Sequence, residues 1–223
     1  MPDPMAEGKP IAKYSDSIYF LGSSPSDPEV RFLTTRIGFR ADVTETWFAI
    51  ITKTFGELRA PVEEVAPMPE GTNAAGIGYE CIEPTKRWRI RYNGKLAERA
   101  TGKMHDAEVD LTFTATSLFW PYAQDPWTVA QVIAEQNWSG DFFKRMRAEK
   151  ASRIEQGGRI AGRMKIDGRE LVADMNSIRD HAWGRRDWAM ITKYVWYAFC
   201  CEAPLMIGGK PYSHFSSEER RVG

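Results

Sequence analysis

Along residues 86–92 the side chains alternate in character, with Trp88, Ile90 and Tyr92 on one face and Arg87, Arg89 and Arg91 on the other. A period of two with this contrast predicts a strand with one buried face, and Asn93-Gly94 supplies a turn. Residues 108–116 repeat the pattern: Val109, Leu111, Phe113 and Ala115 point inward, while Glu108, Asp110, Thr112 and Thr114 point outward. If the two strands are neighbours, outward arginines face outward carboxylates, a pairing worth about 0.2–1 kcal/mol per pair. Residues 158–166 place Ile160, Met164 and Ile166 inward and Arg159, Arg163 and Lys165 outward. Asp167-Gly168 is a two-residue hairpin turn, and Leu171, Ala173 and Met175 continue the inward face on the return strand. Further strands are predicted over 31–39, 43–52 and 193–206, the last leading to a turn at Gly208-Gly209-Lys210-Pro211. Helix signals are confined to 125–150. There Asp125-Pro126 reads as an N-cap with proline at the first helical position, and Ser139 caps a second short helix. Residues 1–16 read as a loose tail and 60–76 as an irregular connection. The sum is mainly antiparallel β with a short helical insert, and the strands fit a barrel or a sandwich equally well.

Composition narrows the class. The 223 residues suffice for one large domain, or one plus part of a second. Lys+Arg and Asp+Glu both number 30, so the surplus of positive charge that a nucleic acid or anionic membrane demands is missing. Cys81, Cys200 and Cys201 form neither a disulfide framework nor a Cys-x-x-Cys pair. The first ten residues lack the apolar stretch of a signal peptide, and no apolar run approaches the ~20 residues that span a bilayer. The expectation is a soluble, cytoplasmic protein without a transmembrane segment. Eight Trp, eight Tyr and eleven Phe point to β structure with an aromatic-lined interior.

Motifs with built-in chemistry are scarce. The chain contains no GxxxxGK[ST], no GxGxxG opening a helix, no HExxH and no GxSxG. His105, His181 and His214 are too far apart in sequence for a local metal motif, so no metal and no cofactor is expected. What remains is a run at 178–188, Ile-Arg-Asp-His-Ala-Trp-Gly-Arg-Arg-Asp-Trp, preceded by Glu155-Gln156, Gly157-Gly158 and the Asp167-Gly168 hairpin. Upstream, Tyr79 to Pro84 (YECIEP) leads into Lys86 to Gly94 (KRWRIRYNG). Over roughly residues 75–205 this arrangement resembles the carotenoid 1,2-hydratase (hydroxyneurosporene synthase) superfamily and its kievitone hydratase-like relatives. The DHxWG core is its most specific element.

That resemblance implies an antiparallel lipocalin-like (calycin) barrel with an incomplete second β lobe. It divides the chain into a tail at 1–16, a β lobe at 17–178, and a junction with the start of a truncated second lobe at 179–223, whose open edge could pair in a homodimer. It also implies cofactor-free chemistry on carbon–carbon double bonds of a hydrophobic molecule. The family's active-site His and Trp fall on His181 and Trp183, with Asp180 and Gly184 completing the match; no Tyr-x-Asp comes after Trp183. His181 is then the acid or base, helped by Asp180 if their side chains meet. Trp183 is the wall that steadies a carbocation. Trp88, Tyr92, Glu155, Gln156, Met164, Arg179 and Trp188 are candidates for the substrate-binding walls. A structural reading stands beside each of these: core for Trp88, Tyr92 and Met164, an exposed charge for Glu155, and an ion-pair network for Arg179 and its neighbours. The expected function is hydration or cyclisation of an isoprenoid or polyketide-like molecule. A non-catalytic carrier, a shape-driven pericyclase and a purely structural module are the alternatives.

Overall fold

The computed structural model describes residues 14–40, 43–61, 63–65, 72–121, 152–185 and 191–222, with scattered positions between 126 and 144. Fourteen strands form among them. The first seven are β1 (Tyr14–Ser23), β2 (Val30–Arg40), β3 (Val43–Thr52), β4 (Gly56–Arg59), β5 (Glu63–Val65), β6 (Asn73–Ala74) and β7 (Ile77–Glu83). The rest are β8 (Arg87–Glu98), β9 (Met104–Ala115), β10 (Trp120–Pro121), β11 (Ser152–Ile166), β12 (Arg169–Arg185), β13 (Ile191–Ile207) and β14 (Lys210–Val222).

Eight of these strands close a ring. Antiparallel pairing runs β1, β2, β3, β4, β8, β9, β11, β12 and back to β1, so the barrel has no open edge around its girth. Strand β5 adds to β3, β7 to β8, β6 to β7 and β10 to β11, while β13 and β14 form a hairpin of their own. Asp167 and Gly168, at φ of 47° and 82°, make the two-residue turn joining β11 to β12, where left-handed backbone matches the strand twist.

The alternation read from the sequence sets the walls. Ile90, Leu96, Leu111, Phe113, Ile160, Met164, Ile166, Ala173 and Met175 are buried inside the ring. Arg89 reaches across to Asp110 with two hydrogen bonds of 2.7 and 2.5 Å on the outside. Phe48 stacks on Tyr92 at 4.6 Å, and Phe20 packs against Tyr79 and Phe113.

Two expectations change, the start of β1 and the lobe boundary. Tyr14, Ser15 and Asp16 are strand rather than tail, because β1 pairs along its whole length with β2 and β12. The helical insert at 125–150 lies largely outside the described residues; the described positions 126, 130, 133–134, 140–141 and 143–144 are helical, and the Phe143 N–H donates to the Ser139 carbonyl at 3.2 Å. A lobe boundary after residue 178 would cut through β12, which runs unbroken from Arg169 to Arg185. Beyond β12 the described residues form the β13–β14 hairpin, in place of the start of a second lobe. Trp196 of β13 anchors that hairpin to the barrel's outer surface. Its ring meets Tyr19 edge-on at 5.3 Å, lies under the Arg153 guanidinium, and donates from Nε1 to Glu155 at 3.1 Å. Asn176 adds a 2.7 Å hydrogen bond to the Cys201 carbonyl.

Two outcomes test this arrangement. Arg89, chiefly through its hydrogen bonds, holds the Asp110 carboxyl below its ordinary range. The stability this contributes is present above the unfolded carboxyl value near ~3.9 and lost as pH falls through the depressed folded value. Thermal melts of D110N should therefore show a deficit of at most about 1 kcal/mol at neutral pH that shrinks as the pH is lowered below the ordinary carboxyl range. W196A should speed amide hydrogen exchange across residues 195–212 while β8, β9 and β11 keep their protection.

Candidate functional site

The register stacks the inner face into rows at one end of the barrel. In the outermost row Trp183 of β12 sits beside Asp16 of β1, Phe39 of β2 and Thr44 of β3, with Ser152 of β11 on its other side. The next row in holds His181, Ile18, Ile37 and Thr46, with Ile154 alongside. The third holds Arg179, Phe20, Thr35 and Phe48, with Gln156 alongside. Because strand side chains alternate, 179, 181 and 183 share the inner face and 180 does not.

His181 is half-buried, and its Nε2 lies 2.9 Å from Asp16 Oδ1. An ionised carboxylate only accepts, so Nε2 carries the hydrogen and Nδ1 is the nitrogen left for another partner. The Trp183 ring stands 4.7 Å from the imidazole, tilted by 47°. The result is an imidazole oriented by a carboxylate beside an aromatic face, at the rim of a barrel. Asp16, expected in the tail, is the partner that Asp180 was expected to be.

Asp180 points to the outer face, where it accepts from Arg153 Nε at 2.8 Å. Arg153 also approaches Glu155 at 2.5 Å. Arg153 and Glu155 are only 6% exposed although they face outward, because the hairpin carrying Trp196 covers them. Charges taken out of water in this way must be paired, and this trio is. Glu155 and Asp180 thus belong to the attachment of the hairpin, and the side chains of Asp180 and His181, which could help each other only by meeting, lie on opposite faces.

Deeper on the inner face, Gln156 is 4% exposed and donates from Nε2 to the carbonyls of Thr85 (2.7 Å) and Ser117 (3.0 Å). Its Oε1 is buried without a hydrogen-bond partner among the described residues, as are Arg179 Nε, Trp88 Nε1 and Thr44 Oγ1. Arg179 lies over the Trp88 ring at 4.5 Å. Burial pulls its pKa down to about 10, so it stays charged at neutral pH. Below this layer the interior is filled. A Cβ on Gly158 would overlap the Phe113 ring, which occupies the space a side chain at 158 would need. Tyr92, donating from its hydroxyl to the Lys95 carbonyl at 2.8 Å, and Met164 are core at that depth. The structure therefore groups Trp88, Gln156, Arg179, His181 and Trp183 at one end. It sets Tyr92 and Met164 apart in the core, and Trp188 lies outside the described residues.

Elsewhere an open groove of about 1110 Å³ is lined by the outward residues Arg91, Asp110, Arg163 and Lys165 and also by Ile77, Tyr92, Val109 and Met164. Tyr92 and Met164 therefore border this groove, away from the His181 end of the barrel. Among the described residues no cluster of His, Cys, Asp and Glu stands ready to hold a metal ion, and no helix is long and apolar enough to cross a membrane.

The fold is shared with the Nitrosomonas europaea protein NE1406, described provisionally as an AttH. The two superpose with a TM-score of 0.54 at 7% identity, over 100% of this chain and 71% of that one. At that identity the likeness concerns the lipocalin-like barrel alone. A comparison with curated proteins gave no match. From residue 6 to residue 223 the sequence matches the family of domains of unknown function DUF7064, and the chain belongs to that family.

Proposed function

We propose that this barrel takes up a hydrophobic small molecule at the rim formed by Trp183, Phe39 and Ile154, and hydrates or cyclises one of its carbon–carbon double bonds without a cofactor. The observation that supports the reading is the His181–Asp16 pair with the Trp183 ring beside it. A histidine whose second nitrogen is held by a carboxylate is fixed in orientation, which is what a positioned proton donor needs. The alkene π pair takes the proton from His181 Nδ1, forming a C–H bond and leaving a cation on the adjacent carbon. The face of Trp183 attracts that cation. Water then adds through its oxygen and returns a proton to Nδ1; in the cyclising variant a second double bond attacks, and a neighbouring carbon loses the proton instead. The resemblance of the DHxWG segment to carotenoid 1,2-hydratases supports the same chemistry, and the AttH-like barrel is a scaffold able to hold the guest.

The test is incubation with acyclic isoprenoid alkenes in D₂O, with product mass and binding followed separately. Wild type should place one solvent deuterium on carbon per turnover. H181A should lose at least about 100-fold in rate and D16N should fall between the two, while both still bind. Equal turnover by H181A removes the acid role, and unchanged alkene recovered from every variant makes the chain a carrier.

A further inference from the structure

Arg179 is 3% exposed and makes no salt bridge among the described residues; the Asp180 charge reaches it only from the opposite face of the strand. Asp180 projects from the opposite face to Arg153, and Asp16 serves His181. A buried cation with no counter-charge costs several kcal/mol, roughly the penalty left after the surroundings relax, and a single stack on Trp88 offsets a small part of it. The groups around it are also incomplete. Arg179 Nε and Trp88 Nε1 are donors without an acceptor among the described residues, and Gln156 Oε1 is an acceptor without a donor. The Gln156 amide cannot turn to help, because its nitrogen is committed to two carbonyls. Buried polar atoms are satisfied in more than ~90% of cases. Several orphans converging on such a cation describe a site built for something else.

We infer that Arg179, with Trp88 and Gln156, binds the carboxylate of an amphiphilic guest, so that the molecule this barrel takes is an acid with an apolar body rather than a plain hydrocarbon. This rests on the small-molecule reading above. The guanidinium and the indole N–H supply the donors that carboxylate oxygens accept. Gln156 Oε1 takes a hydroxyl or a bound water. The body of the guest then lies against Ile18, Ile37 and Ile154 in the next row, toward His181 and Trp183 at the rim. Rows two residues apart on β12 are about 7 Å apart. The anchored head therefore places a double bond only a few carbon–carbon bonds away beside the imidazole, making Arg179 a specificity-determining residue.

The experiment compares farnesoic acid with farnesol, which share an isoprenoid body and differ in the head group, by calorimetry on the full chain and on R179M. Wild type should bind the acid at least about tenfold more tightly, as a charge-assisted hydrogen bond in a buried site gives. R179M should lose that preference and keep farnesol affinity, with an unchanged or higher melting temperature, since an apolar side chain of similar length removes the buried charge. Equal affinity of wild type for acid and alcohol overturns the carboxylate site and leaves the barrel-ligand reading standing. A preference that survives in R179M places the anion elsewhere and overturns it too. If neither compound binds, both readings fall together.

Discussion

The fold depends on one pairing, that of β12 with β1. It joins the beginning of the described chain to its far side, from Tyr14 against Arg185 to Ser23 against Asn176, and converts a curved sheet into a closed barrel. Without it β1 and β12 would both present a row of unpaired N–H and C=O groups, and the inner face would open to water along a full strand. The same pairing assembles the candidate site. Asp16 and His181 are neighbours only because these two strands are in register. A contact between residues so distant in sequence is entropically costly to form, so the oriented imidazole exists only once the barrel has closed.

Alternation on β12 separates two kinds of polar chemistry. Odd-numbered residues 179, 181 and 183 face in, where Arg179 makes no salt bridge among the described residues and His181 meets Asp16. Even-numbered Asp180 faces out, into a charged group sealed by Trp196. Arg153, Glu155 and Arg179 are all buried, but among the described residues only the outer group is joined by salt bridges. That contrast is why Arg153, Glu155 and Asp180 read as structural and Arg179 as reserved for a guest.

Most of the barrel wall was legible in the sequence. Strands β8 and β9, and β11 and β12 where they meet at the Asp167-Gly168 turn, contrast an apolar inner with a largely polar outer face, so a period of two was visible. Strand β1 was not, because its two faces do not contrast. Tyr19 on the outer side is covered by Trp47 and Trp196, and the inner side carries Asp16 and Gly22. His181 and Trp183 were picked out by their motif, while Arg179 read most simply as part of an ion-pair network with its neighbours. Asp16 was invisible, since nothing local ties it to residue 181. Asp180 came with the motif, and strand alternation turns it to the outer face, away from His181.

The aromatic layer over Gly158 has a consequence for size. Phe113 lies across the bore where a side chain at 158 would stand, with Phe20 and Trp88 beside it, and the barrel beneath is solid with aliphatic groups. A visitor coming in at the rim meets this floor after about three rungs of the ladder. A guest bound as proposed would thus be enclosed only over a short stretch, and a long chain would trail its far end into solvent. Discrimination by length would come from how much tail is left outside, with short and medium chains held best.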